Sequence, residues 1–157
     1  CWGNFCAKAQ TATSKADTTQ KIAESRKFLH FPANGTYPQG RAAFLPLIKR
    51  TLEKAPWKIQ KEEARGYFEG TRTWSWGKGD TAGTITCRFQ IGTPPMRYRC
   101  VLSQFQFTPA KPADSKSYFL DNQKVLPPGM PKERWERIWN DARQLAEIQL
   151  KQLNELK

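Results

Sequence analysis

Thr84-Ile85-Thr86-Cys87-Arg88-Phe89-Gln90-Ile91, the connection Gly92-Thr93-Pro94-Pro95, and Met96-Arg97-Tyr98-Arg99-Cys100-Val101-Leu102 form the stretch on which the fold turns. Apolar and polar residues alternate on both sides of the break, which is the period of a half-buried strand, and the glycine and prolines between them mark a hairpin loop. A four-residue loop pairs Ile91 with Met96. Counting back from there sets Phe89 opposite Tyr98, Cys87 opposite Cys100 and Ile85 opposite Leu102. One face is then wholly apolar and contains both cysteines, directly opposed and close enough for a cross-strand disulfide in an exported protein. The alternative is two reduced thiols packed as small hydrophobes.

The same register sets Arg88 opposite Arg99 and Gln90 opposite Arg97 on the other face. Like charges directly across a ladder repel, so an anion, an acidic residue from elsewhere or full hydration has to compensate. The preceding strand, around Tyr67 to Trp76, places Arg72, Trp74 and Trp76 at alternate positions of one face. If that face is the one with the arginines, Arg72, Trp74, Trp76, Arg88, Arg97 and Arg99 form a basic and aromatic patch of the kind that stacks bases or sugars. If it is the inner face, the tryptophans are core residues and Arg72 has to escape at the sheet edge. The glycine-rich Gly77–Gly83 connection leaves the parity open.

Outward from the hairpin, residues 57–107 read as an antiparallel meander of about four strands, rich in aromatic and β-branched residues and broken by glycine. Upstream, Phe44, Leu45, Ile48 and Leu52 recur at helical spacing over 41–54, with Pro56 ending the helix. Phe31 to Gly40 carries two prolines and Asn34-Gly35, a turn signal. Residues 18–30 read as a short helix capped by Asp17 or Thr18, and 1–17 as a flexible tether. Downstream, 108–130 is a proline-rich connection with one edge strand near Tyr118-Phe119-Leu120. Residues 131–157 form a long amphipathic helix: Pro131 opens it, and Trp135, Ile138, Trp139, Ala142, Leu145, Ala146, Gln149, Leu153 and Leu156 trace one stripe. Residues 18–157 thus form a single α+β domain, an antiparallel sheet packed against helices.

The chain has 157 residues, 38% of them hydrophobic, and a net charge of +12. That suits one domain with a real core. No stretch approaches the roughly 20 apolar residues that cross a bilayer. The positive surplus falls as +6 over residues 1–56, +4 over 57–107 and +2 over 108–157. Such a surface favours polyanions without choosing among nucleic acid, glycan and anionic lipid.

A sequence that opens on Cys1 and runs on through a spacer resembles a mature bacterial lipoprotein, whose first cysteine carries the lipid; the alternative is a cysteine that stands at the edge of the sequence by accident. A lipid on Cys1 leaves Cys6 without a local partner, whereas a free Cys1 can close a small ring with Cys6. On this reading the protein meets a membrane through Cys1 and sits in the bacterial cell envelope, at the outer membrane; the alternative is secretion.

Enzyme chemistry lacks its parts. There is one histidine, His30, no Gly-x-Ser-x-Gly, no phosphate-cradling loop and no CxxC pair, so no nucleophile, metal or cofactor site is expected. Adjacent Glu62 and Glu63 point to opposite faces of a strand, which suits solvent better than shared acid-base work.

The order of elements resembles that of a family of exported Bacteroidota proteins with a TATA-binding-protein-like fold. The features that carry the likeness are a helix ending near Trp57, a strand pair through Gly66, Gly70 and Gly77-Lys78-Gly79, the hairpin with Arg97-Tyr98-Arg99, and a long closing helix. The resemblance covers residues 38–157 and implies a sheet curved against its helices, with no catalytic residues to carry over. The function expected is a non-catalytic envelope lipoprotein that binds another envelope protein or joins a larger assembly. Alternatives are a polyanion-binding module built on the patch above, and a helix-grip carrier of a small hydrophobe.

Overall fold

A computed structural model of the chain describes residues 29–111, 115–121 and 126–156. Its elements are β1 (Phe31–Gly35), α1 (Arg41–Leu52), β2 (Trp57–Glu63), β3 (Tyr67–Trp76), β4 (Gly83–Gly92), β5 (Tyr98–Pro109), β6 (Tyr118–Phe119) and α2 (Lys132–Asn154). The strands form one antiparallel, curved sheet in the order β1-β5-β4-β3-β2, with β6 sharing the outer edge of β5 with β1. Both helices cover the same face. The architecture is α+β, as the sequence implies.

Strict alternation builds the covered face. Ile85, Cys87, Phe89 and Ile91 of β4 are buried while every residue between them is only partly so. From β5 come Tyr98, Cys100, Leu102, Phe105 and Phe107. Above them α2 turns its stripe of Trp135, Ile138, Trp139, Ala142, Ala146, Gln149 and Leu153 inward, and α1 adds Phe44, Ile48 and Leu52. The two alanines let the helix axis come close to the sheet. Of the residues off that stripe, Ile148 is exposed and Leu150 half-buried.

The hairpin register differs from the one the four-residue loop predicts. Ile91 pairs with Cys100 and Phe89 with Leu102, so from Arg88 to Gly92 each β4 residue meets a partner four positions further on. An even shift keeps every side chain on its own face, which is why the apolar face survives. Cys87 and Cys100 are nevertheless no longer directly opposed, and the expected disulfide is replaced by two free, buried thiols. Arg88 faces Ser103 rather than Arg99, and Gln90 faces Val101 rather than Arg97, so the expected like-charge pair does not form.

The reason is the loop. Pro94 and Pro95 have no N–H for the ladder, and Thr93 is held from outside the hairpin. Its hydroxyl donates to Gly66 O at 2.7 Å, and its carbonyl accepts from Arg41 Nε at 2.6 Å.

Further along β5 a bulge changes the parity. Arg88 pairs with Ser103 but Thr86 with Gln106, and the extra residue on β5 comes with Gln104 at φ 53°. Residues 98, 100 and 102 point inward before the bulge, and 105 and 107 after it.

The segment expected to turn at Asn34-Gly35 is instead β1, whose Asn34 pairs with Arg99 and Gly35 with Tyr98. Pairing with β5 overrides a composition that reads as loop. Of the helix expected over 18–30, residues 18–28 lie outside the described residues, and Leu29 and His30 lead into β1 without helical structure. Cys1, Cys6 and the 1–17 tether also lie outside them.

Candidate functional site

Among the described residues, no layer covers one whole face of the sheet. Cross-strand pairing orders its side chains into rows: Glu63, Tyr67, Gly92, Arg99 and Asn34 at one end; then Lys61, Glu69, Gln90, Val101 and Pro32; then Lys58, Thr71, Arg88 and Ser103. Thr73, Thr86, Gln106 and Phe119 follow, and Ser75, Thr84 and Thr108 close the far end. The first three rows carry charge, the last two hydroxyls and an amide beside one half-exposed ring, Phe119.

Glu69 organises the charged half. Its Oε1 accepts from Tyr67 OH at 2.6 Å, from Arg88 Nη2 at 3.1 Å and from Gln90 Nε2 at 3.1 Å. The hydrogen bond from Tyr67, then that from Gln90, holds the carboxyl down to about 2, and Arg88 adds to this. Arg88 is therefore already matched by an internal anion, the acidic compensation that a crowded basic face requires.

The six residues of the expected patch are divided between the two faces. Arg72, Trp74 and Trp76 lie beneath α2. Trp74 stacks on Phe105 with ring centroids 6.3 Å apart, and Trp76 meets Phe107 edge-on and donates its indole N–H to Asp141 at 2.8 Å. Arg72 does not escape at the edge. Its guanidinium lies 4.5 Å from the Trp74 centroid and 5.4 Å from that of Trp57, and it donates to Gln149 Oε1 at 2.9 Å and to the Thr73 carbonyl. Arg88 and Arg99 face the other way, and Arg97 is in the loop. The single continuous patch does not exist.

The two cysteines are poor nucleophiles where they are. Burial, and for Cys87 the neighbouring Cys100, pushes the Cys87 thiol up, while burial alone pushes Cys100 up to about 12. Among the described residues no group of three or more His, Cys, Asp or Glu is placed to hold a metal ion, and no helix is long and apolar enough to cross a membrane.

The sequence reading misses a second feature. At the end of the sheet where the β2–β3 turn meets the β4–β5 loop, Arg41, Arg65, Gly66, Tyr67, Gly92, Thr93, Pro94 and Pro95 line a groove of about 450 Å³. Arg41, the first residue of α1, spans it, with Nε on Thr93 O and Nη2 on Arg65 O, each at 2.6 Å. The only trace in the sequence is a pair of glycines, Gly66 and Gly92, next to aromatic and proline residues. Nothing marks Arg41 as their partner.

The fold has known counterparts. A TBP-like protein from Parabacteroides distasonis superposes with a TM-score of 0.56 at 11% identity, covering 83% of this chain and 96% of the other. A DUF4468 family protein from Bacteroides ovatus gives 0.52 at 11% identity, covering 83% and 88%. The fold is TBP-like. No family model matches the sequence, and no curated protein matches it. The fold expectation drawn from the order of elements therefore agrees with two Bacteroidota structures. Neither of their descriptions names a reaction.

Proposed function

We propose that this domain is a non-catalytic binding module that serves as a protein-binding or assembly subunit and works through the uncovered face of its sheet. The observation that carries the reading is that three strands of ten to twelve residues, β3, β4 and β5, turn one face toward the helices and have no layer of described residues over the other. That face suits a polar partner, with hydroxyl and amide rows at one end and, at the other, a charged half in which Glu69 matches Arg88. The described residues contain no pairing of base and nucleophile. Phe89, Phe105 and Phe107 of the sheet and Ile138, Ala142 and Ala146 of α2 are all fully buried, which supports a packed core rather than the carrier reading.

Replacing Thr86 and Ser103 with arginine puts bulk and charge on the open face while leaving the core untouched. The expected result is loss of the large species on size exclusion of the protein from its native cells, with an unchanged melting temperature. Recovery of the unaltered protein as a lone monomer overturns the assembly role.

Uneven charge favours a second reading, a polyanion partner. Helix α2 alternates five basic with four acidic residues, whereas Lys58 and Arg99 on the open face have no carboxylate partner among the described residues. Binding of a duplex or a sulfated glycan that does not weaken as salt rises excludes this reading.

A further inference from the structure

We propose that the groove between the β2–β3 turn and the β4–β5 loop binds a small organic oxyanion, a carboxylate or phosphate group carried on a flat apolar body. The groove shares Tyr67 and Gly92 with the first row of the sheet face but not the rows of Thr86 and Ser103, so the two readings fail independently.

The charge in the groove is not neutralised. Arg41 is held by Thr93 O, Arg65 O and, at 3.4 Å, Thr93 Oγ1, all of them neutral acceptors. Carbonyls fix a guanidinium in place without cancelling its charge. Arg65 engages Glu63 through Nε at 2.6 Å, and its Nη groups donate to nothing among the described residues. Glu63 is shared with Lys61 at 3.4 Å. The groove lining thus holds two arginines and no carboxylate; Glu63, which Arg65 grips, and Glu69, which the Tyr67 hydroxyl reaches, are not part of it. Guanidinium groups, with their forked N–H donors, are the side chains best matched to carboxylate and phosphate oxygens.

The site is also shaped and rigid. Gly66 sits at φ 92°, and a Cβ there would lie 2.1 Å from Thr93 Oγ1, so the turn stays bare of a side chain. A Cβ at Gly92 would meet nothing within 4 Å, which shows that the groove opens directly over it. Thr93 is only 4% exposed, and its bond to Gly66 O ties the two sides together. Lys61 and Arg65 lie over the Tyr67 ring, each 5.8 Å from its centroid, which keeps positive charge beside the groove, and Pro94 and Pro95 supply an apolar wall. A volume of about 450 Å³ falls within the range of small-molecule sites.

The test is a titration of the full chain with benzoate and, separately, phenyl phosphate, followed by amide NMR. Saturable shifts centred on Gly66, Tyr67, Gly92 and Thr93 are expected. Arg65→Ser, on an exposed side chain, is expected to weaken binding about tenfold, the size of one lost charge-assisted bond. Arg41→Gln should do the same; because Arg41 also ties α1 to the loop, Gly92→Leu is the companion variant, which fills the groove without removing a bond and should abolish binding with the melting temperature unchanged. Saturation by benzoate alone assigns carboxylate ligands and by phenyl phosphate alone phosphate ligands, and either supports the proposal. Absence of saturable shifts with both probes at millimolar concentration overturns it, as do shifts that persist undiminished in Arg65→Ser and Gly92→Leu.

Discussion

Glu69 shows how a single carboxylate makes a crowded sheet face tenable. Three donors converge on one of its oxygens and hold its titration at about 2, below the ordinary 4.5. A carboxyl depressed in the folded state contributes its stability in full above the ordinary value and loses it as the pH falls toward the folded one. Glu69→Gln should therefore lower the melting temperature near neutrality and flatten its decline between pH 4.5 and about 2. Thermal melts across that window check both. Gly35 is a constraint of a different kind, because a Cβ there would fall 2.0 Å from the Tyr98 ring. That ring is buried, stacks on Phe44 at 4.9 Å and donates its hydroxyl to Asn154 at 3.0 Å, so it cannot step aside. Gly35→Ala is expected to cost roughly 1–3 kcal/mol in urea unfolding, the usual cost of overpacking. Arg72 makes a related point about cations under a helix. Burial lowers its pKa, and what compensates is two indole faces and the amide of Gln149 rather than an acid.

Among the elements, β5 carries the most information. Its bulge at Gln104 lets one strand present even-numbered residues to the core at one end and odd-numbered residues at the other. Deleting Gln104 should leave Ser103 outward and Phe105 and Phe107 inward in unbroken alternation, with Cys87 opposite Phe105, so the variant is expected to keep its near-ultraviolet circular dichroism, and loss of that signal would contradict the bulge as the sole cause of the parity change. Helix α2 is simpler. Ile138, in its second turn, is fully buried, and Ile138→Ala should cost about 2–5 kcal/mol by denaturant unfolding. The faces of β4 and the stripe of α2 are legible in the sequence because both depend on local periodicity. The hairpin register is not, since what sets it is Arg41, fifty-two positions before the loop residue it grips. Nor is the bulge, which has no glycine to announce it, or β1, whose proline, asparagine and glycine read as a turn until β5 is there to pair with them. The groove is hidden for the same reason as the register: its two arginines come together only through long-range contacts. The face occupied by Trp74 and Trp76 is left undecided by a flexible connection and fixed only by the ladder between β3 and β4.

At the scale of the molecule, the two cysteines test the packing. Both thiols lie under α2 with their pKa values raised by burial. Peptide mapping after maleimide treatment should find Cys87 and Cys100 unlabelled in the native protein and both labelled once it is unfolded, with no need of reductant. Labelling of the native protein, or a requirement for reductant after unfolding, would contradict the packed, reduced pair. Distant parts of the chain also meet on one edge. β1 and β6 divide the outer side of β5 between them, and the Leu29 amide donates to Asp121 at 2.7 Å just beyond. The lid over the central strands, α2, comes after every strand of the sheet. During synthesis the sheet can zip together by hairpins as each strand emerges, yet Trp74, Phe105 and Phe107 stay without their cover until that helix has left the ribosome. A nascent chain of this protein therefore passes through an interval in which an apolar sheet is complete but bare, the moment at which a chaperone or a neighbouring nascent chain would meet it.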